Sequence, residues 1–292
     1  MVLGHTPLKP RGQFSDIGGR RLHWVEVGPP MASPVVLLES GSFGFSADWA
    51  VVQEQLAARG HRSIAYDRAG LGLSDPGPPP RDGLAIAKDL EALLAAIGER
   101  GPFILTGHSM AGLHVHLFAA RNPRQVAGLV LVDAISPDGA THPRVQSYAL
   151  HYGRLSRLAA RVAGAGLLKP LSRWGDAIEL TAEAARHKRW AFAHGPHNRA
   201  ASDEVQHWEA SARQGREAGP LDPAWPVAVV TAGPIRGFGW QKALQVQPAK
   251  ASRAGHVENV TDANHANLLG RRHAAAISAA VEHVCSALTK TG

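Results

Sequence analysis

Ser109 stands in the run Gly107-His108-Ser109-Met110-Ala111-Gly112, directly after the apolar stretch Pro102 to Thr106 (PFILT) and before a helical stretch. A serine at a sharp strand-to-helix turn has its Oγ lifted above the sheet's C-terminal edge, where it can attack a carbonyl carbon. Such a turn has no room for bulk two residues before or after the serine. Gly107 and Ala111 meet that need. The following helix would aim free N–H groups and partial positive charge at a developing oxyanion. The chemistry in view is acyl transfer through a serine adduct, and it requires a base. The chain has 16 histidines, so residue type alone does not choose one. His114 and His116 lie two apart on a helix, face different sides and make a poor metal pair. The single cysteine, Cys285, excludes an intramolecular disulfide and a cysteine-rich zinc site. No metal and no cofactor is expected.

The elements that must carry this serine alternate. Strand-like runs cover 20–27, 34–39, 61–66, 102–106 and 126–132. Helical stretches cover 48–59, with Asp48 as a cap and Gly60 as a stop, then 83–97, closed by Gly98, and 109–121, ending before Pro123. This rhythm predicts an α/β fold with a mostly parallel, doubly wound sheet and helices on both faces. From 136 to 220 no strand-like run occurs, and the composition, rich in Ala, Arg and His, predicts several short helices. The α/β rhythm then returns with strands at 227–231 and 257–260 and helices at 241–246 and 271–288. The expected organisation is one core domain, 1–135 and 221–292, interrupted by a helical insertion, 136–220.

On these residues the chain resembles the α/β-hydrolase superfamily of esterases, lipases and epoxide hydrolases. Tyr66 to Asp75 (YDRAGLGLSD) is similar to that family's turn after its fourth strand, and Ser40-Gly41-Ser42-Phe43-Gly44 occupies the place of its His-Gly oxyanion loop. The resemblance implies Met110 and Ser42 as backbone oxyanion donors, with Phe43 in reserve. It implies His265, in Asn264-His265-Ala266, as the base. The family's usual acid slot after strand seven, Thr231 to Phe238, holds no carboxylate. Some relatives place the acid after strand six, which here is Asp133; Asp138, Glu258 and Asp262 are the other carboxylates in range. The insertion resembles a lid, whose Trp174, Trp190 and Trp208 could line a substrate cavity or pack the lid. His108 beside the serine is a further contact within the site, and Phe43, His108, Trp190 and Trp208 are the tentative substrate-binding residues.

With 45% hydrophobic and 19% charged residues among 292, the chain can bury a sizeable core. No run of 18 apolar residues occurs, and Met1 to Pro10 has no leader-like apolar core, so a cytoplasmic protein without membrane partners is expected. The net charge of +7 comes from 31 basic and 24 acidic residues, the basic ones spread out and clustered only as pairs such as Arg20-Arg21. No nucleic-acid motif accompanies them, so no nucleic-acid partner is expected. The expected function is a serine hydrolase, a carboxylesterase acting on a small-molecule ester. Lactonase, thioesterase, amidase and carbon–carbon bond hydrolase activities share the same residues. A ligand-binding pseudoenzyme is the alternative from another class.

Overall fold

In a computed structural model that describes residues 10–234, 236–237 and 239–291, eight strands form one sheet. The reading of Met1 to Pro10 falls, but for Pro10, outside the described residues, as does the side chain of Trp174. The strands are β1 (Gln13–Asp16), β2 (Arg21–Val27), β3 (Val35–Glu39), β4 (Ser63–Tyr66), β5 (Phe103–His108), β6 (Val126–Val132), β7 (Val227–Ala232) and β8 (Gly255–Val260). Their order is β1-β2-β4-β3-β5-β6-β7-β8. The pairs from β4 through β8 are parallel, while β1 and β2 add an antiparallel edge. After β3 the chain pairs β4 on one side, then returns to lay β5 on the other. The crevice beyond the carboxyl ends of β3 and β5 is therefore a topological switch point, the place where open α/β sheets bind ligands. Glu39 pairs with Gly107, and His108 with Val132, so β3, β5 and β6 end nearly level.

Alternation along apolar strands divides the core between the two faces. Val36, Leu38, Ile104, Val130 and Val132 point to one face and pack with α1 (Ala50–Ala58) and α10 (Ala274–Thr291). Val35, Leu37, Phe103, Leu105, Leu129 and Leu131 point to the other, under α2 (Gly83–Ala96) and α3 (Ala111–Arg121). Helix α2 begins where Asp82 Oδ1 accepts the Ala85 N–H, 3.0 Å, and stops before Gly98 at φ 78°. No helix among the described residues is long and apolar enough to cross a membrane.

Between β6 and β7 lie α4 (Pro143–Gly164), α5 (Ala182–Ala193), α6 (Gly195–Gln206) and α7 (Trp208–Glu217). Small residues let α4 and α6 approach closely: Ser156 faces Ser202, their Oγ atoms 3.1 Å apart, and the Gly153 carbonyl accepts from Gln206 Nε2 at 2.9 Å. The block is anchored to the sheet by Arg68, which is almost wholly buried. Its guanidinium meets Glu204 of α6 at 2.8 and 2.9 Å, Glu39 at 2.6 Å, and the carbonyls of Ser40 and Gly41 at 2.5 and 2.9 Å. All five of its N–H donors are thus used.

Four sequence expectations change. The insertion holds a single helix of 22 residues, α4, where short helices were expected. Residues 13–16 (QFSD) form an edge strand that no apolar pattern announced. The stretch from 48 opens as a 3-10 turn, Ser46–Trp49, and Asp48 is no cap there; its carboxylate takes Lys188 Nζ at 2.8 Å. Two further helices follow β7, α8 (Gly239–Gln245) and α9 (Gln247–Ala251), in place of one.

Replacing Arg68 by Met should leave Glu39 and Glu204 buried and uncompensated, costing about 3–5 kcal/mol in urea denaturation. The same change at Arg121, whose pair with Glu91 lies at the surface, should cost no more than ~1 kcal/mol. Equal costs at the two positions would contradict the anchoring role.

Candidate active site

Three positions at the sheet's carboxyl edge hold left-handed backbone: Phe43 at φ 58°, Ser109 at 59° and Asp133 at 44°. Among the described non-glycine residues only Glu179 shares this conformation. It is costly for residues with a Cβ and persists where the surroundings enforce it, commonly at functional sites. Around Ser109 the enforcement is steric. A Cβ on Gly107 would stand 2.9 Å from Val115, one on Gly112 2.2 Å from the Ile135 carbonyl, and one on Gly41 2.8 Å from the Cβ of Ser109. The loop after β3 therefore packs directly on the serine. Met110, at the cap of α3, and Ser42 both border this place, with Ser42 Oγ 3.5 Å from Met110 Sδ. Among the described residues neither the Met110 nor the Ser42 N–H has an acceptor.

The structure brings Ser109, His265 and Asp133 into one line of hydrogen bonds. His265 Nε2 lies 2.9 Å from Ser109 Oγ, and Nδ1 lies 2.6 Å from Asp133 Oδ2. Asp133 is mostly buried, and its other oxygen accepts from Gln245 Nε2 at 2.8 Å and the Ala232 N–H at 3.3 Å. Burial pushes this carboxyl upward, but the His265 bond and charge and the Gln245 bond outweigh it and hold it below the usual carboxylate value. A fixed carboxylate behind Nδ1 sets the ring's tautomer and leaves Nε2 to receive a proton from the serine. Asp262 is 77% exposed, and its carboxylate lies 3.9 Å from His273 instead.

His108 lies against the His265 ring, centroids 4.6 Å apart, and its Nε2–H donates to the His265 carbonyl at 3.0 Å. Burial and the neighbouring His265 charge push its pKa down, so it serves as a neutral prop. A cavity of about 380 Å³ opens on Ser109 and His265. Tyr148 and Val145 of α4, Trp208 of α7, and Trp240 and Leu244 of α8 wall it, with Arg144 lying over the Trp240 ring at 5.2 Å.

Of the tentative substrate-binding residues, Trp208 lines this cavity and three others do not. Trp190 stacks on His194 at 4.2 Å and packs against the core beside α1 and α10. His108 backs His265. Phe43 meets Tyr152 edge-on at 6.3 Å, and its carbonyl accepts from Lys188. Sequence reading missed Arg144, Tyr148, Trp240 and Gln245, whose roles depend on how α4 and α8 fold over the sheet; no local motif marks them.

Comparison with known proteins agrees with the fold. A family model described as the alpha/beta hydrolase fold matches residues 34–163. A probable transporter of Hormonema carpetanum is 35% identical over 136 residues, 44% of this chain and 19% of that one. An AB hydrolase superfamily protein of Gibberella zeae is 36% identical over 114 residues, 37% of this chain and 35% of that one. The chain thus spans about a fifth and about a third of these relatives' lengths. A thermophilic esterase of Thermogutta terrifontis superposes with a TM-score of 0.67 over 92% of this chain and 94% of that one, at 21% identity. The chain thus has the α/β-hydrolase fold, and residues 34–163 match the model of that fold.

The depressed Asp133 carboxyl has a consequence for stability. The native state binds fewer protons at this group than the unfolded chain, so its contribution is present above about pH 5 and lost as pH falls through the native value. The melting-temperature gap between wild type and Asp133→Asn should be steady near neutral pH and shrink below about pH 4. A gap that widens in acid would contradict the pairing with His265.

Proposed function

We propose that this chain is a serine hydrolase that cleaves a small-molecule carboxylic ester through an acyl-enzyme on Ser109. The observation that carries the proposal is the unbroken hydrogen-bonded line from Asp133 through His265 to a serine held at φ 59° over a cavity. The likeness in fold to an esterase and the match of residues 34–163 to the alpha/beta hydrolase fold model are consistent with it.

The steps follow from the atoms. Ser109 Oγ attacks the ester carbonyl carbon while its proton passes to His265 Nε2. The carbonyl oxygen becomes an oxyanion, for which the unpaired N–H groups of Met110 and Ser42 are the donors, aided by the positive end of α3. The C–O bond to the alcohol breaks as that oxygen takes the proton back from His265. Water then repeats the sequence: it gives a proton to Nε2, attacks the acyl carbon, and the acid leaves as Ser109 recovers its proton. Asp133 stays ionised throughout and stabilises the imidazolium. The helices of 136–220 act as a lid whose aromatic walls choose the substrate. Trp208 Nε1 has no acceptor among the described residues and is available to a substrate oxygen.

Steady-state hydrolysis of a panel of short- and long-chain esters, lactones and thioesters tests the proposal. Ser109→Ala should lose kcat by on the order of a millionfold on any substrate turned over. Asp133→Asn should lose about 10⁴-fold with the fold intact, and Asp262→Asn only a small factor. Retention of a tenth of the activity in Ser109→Ala, or an Asp262→Asn loss equal to that of Asp133→Asn, would overturn the assignment.

A further inference from the structure

Nearly all of the chain's net charge resides in one stretch. From 139 to 175 there are five arginines and one lysine, and not one aspartate or glutamate. The remaining 255 residues carry 25 basic against 24 acidic side chains. The absence of acids, not a run of basic residues, produces this segregation, so a search for basic clusters passes over it.

The same stretch holds most of the apolar surface the protein leaves in water. Of nine large hydrophobic side chains exposed among the described residues, six lie here: Tyr148, Leu150, Leu155, Leu158, Leu167 and Leu171. Leu150, Leu155 and Leu158 are 66%, 61% and 55% exposed. Single exposed leucines are ordinary, but a concentration on one element is not. At 100° per residue, Arg157, Leu150, Arg161, Arg154, Leu158 and Leu155 fall on one side of α4. Gly153, Ser156, Ala160 and Ala163 fall on the opposite side, which is buried. The helix therefore turns its small residues inward and its leucines outward, interleaved with guanidinium groups.

We infer that the outer face of α4 docks on an anionic lipid bilayer surface, lying in the plane of the headgroups. The chemistry fits on both counts: arginines meet lipid phosphates while leucines enter the acyl boundary, about 5–10 Å deep. A second copy of the chain is a poor occupant, because apposing two such faces would bring six guanidinium groups, Arg154, Arg157 and Arg161 from each, together without one carboxylate. Nucleic acid would satisfy the arginines and leave the leucines in water. The inner turns of α4 supply Val145 and Tyr148 to the cavity over Ser109, so docking sets the cavity wall beside the lipid surface. The inference concerns binding and stands apart from the proposed hydrolysis.

The test is co-sedimentation of the full chain with phosphatidylcholine vesicles, with and without phosphatidylglycerol. Wild type and Ser109→Ala should bind the anionic vesicles equally, bind the neutral ones weakly, and release as salt rises. The double variant Arg154→Glu/Arg161→Glu and the double variant Leu155→Ser/Leu158→Ser should each lose about tenfold or more in affinity, with unchanged circular dichroism. No sedimentation with anionic vesicles would overturn the inference. So would binding that survives either double variant. Self-association in solution that the leucine variant abolishes, without vesicle binding, would assign the face to a second copy instead.

Discussion

A single buried cation, Arg68, ties together the sheet, the loop over the serine and the helical block. Its guanidinium sits between Glu39 at the end of β3 and Glu204 on α6, and two of its N–H groups end on the Ser40 and Gly41 carbonyls. Removing these charges from water is costly, and only their mutual contact offsets that cost. The arrangement is therefore strict about geometry. The loop that packs on Ser109 is held from behind by the same group that holds α6. Tyr66 extends the network, its hydroxyl donating to Glu39 at 2.5 Å. Displacement of the block from the core thus cannot leave the loop's support untouched.

Upon this anchor the site is built from strained pieces held by close packing. The left-handed turns at Phe43, Ser109 and Asp133 follow three neighbouring strands, and the last two present their side chains to the same imidazole, His265. Asp133 illustrates the economy of the design. Its turn places one carboxylate oxygen toward His265, while Ala232 at the end of β7 and Gln245 of α8 hold the other. A group gripped at both oxygens needs little reorganisation when the imidazole becomes charged.

What the sequence disclosed and what it hid divide along physical lines. The serine turn was legible because its demands are local: a strand, a helix and small residues at fixed offsets, met by Gly107 and Ala111. Asp133 was legible only through the resemblance, which offers an acid position after strand six once 231–238 is seen to hold no carboxylate. The walls of the cavity were hidden, because Arg144, Tyr148 and Trp240 reach it only once α4 and α8 have packed. Trp190 misled for the same reason: an aromatic in an inserted segment looks like a pocket wall, and here it packs on His194. The length of α4 was obscured by its reversed pattern, with Gly153, Ser156, Ala160 and Ala163 inside and leucines outside. Apolar periodicity locates helices that bury large residues, and this one does not.

The central claim is that Ser109 becomes acylated. The most direct measurement is rapid-quench mass spectrometry during reaction with an activated, slowly deacylating ester, followed by peptide mapping. The account predicts one acyl group, on the peptide containing Ser109, formed faster than steady-state turnover and absent from Ser109→Ala. Turnover with no adduct, or an adduct on another residue, would contradict it.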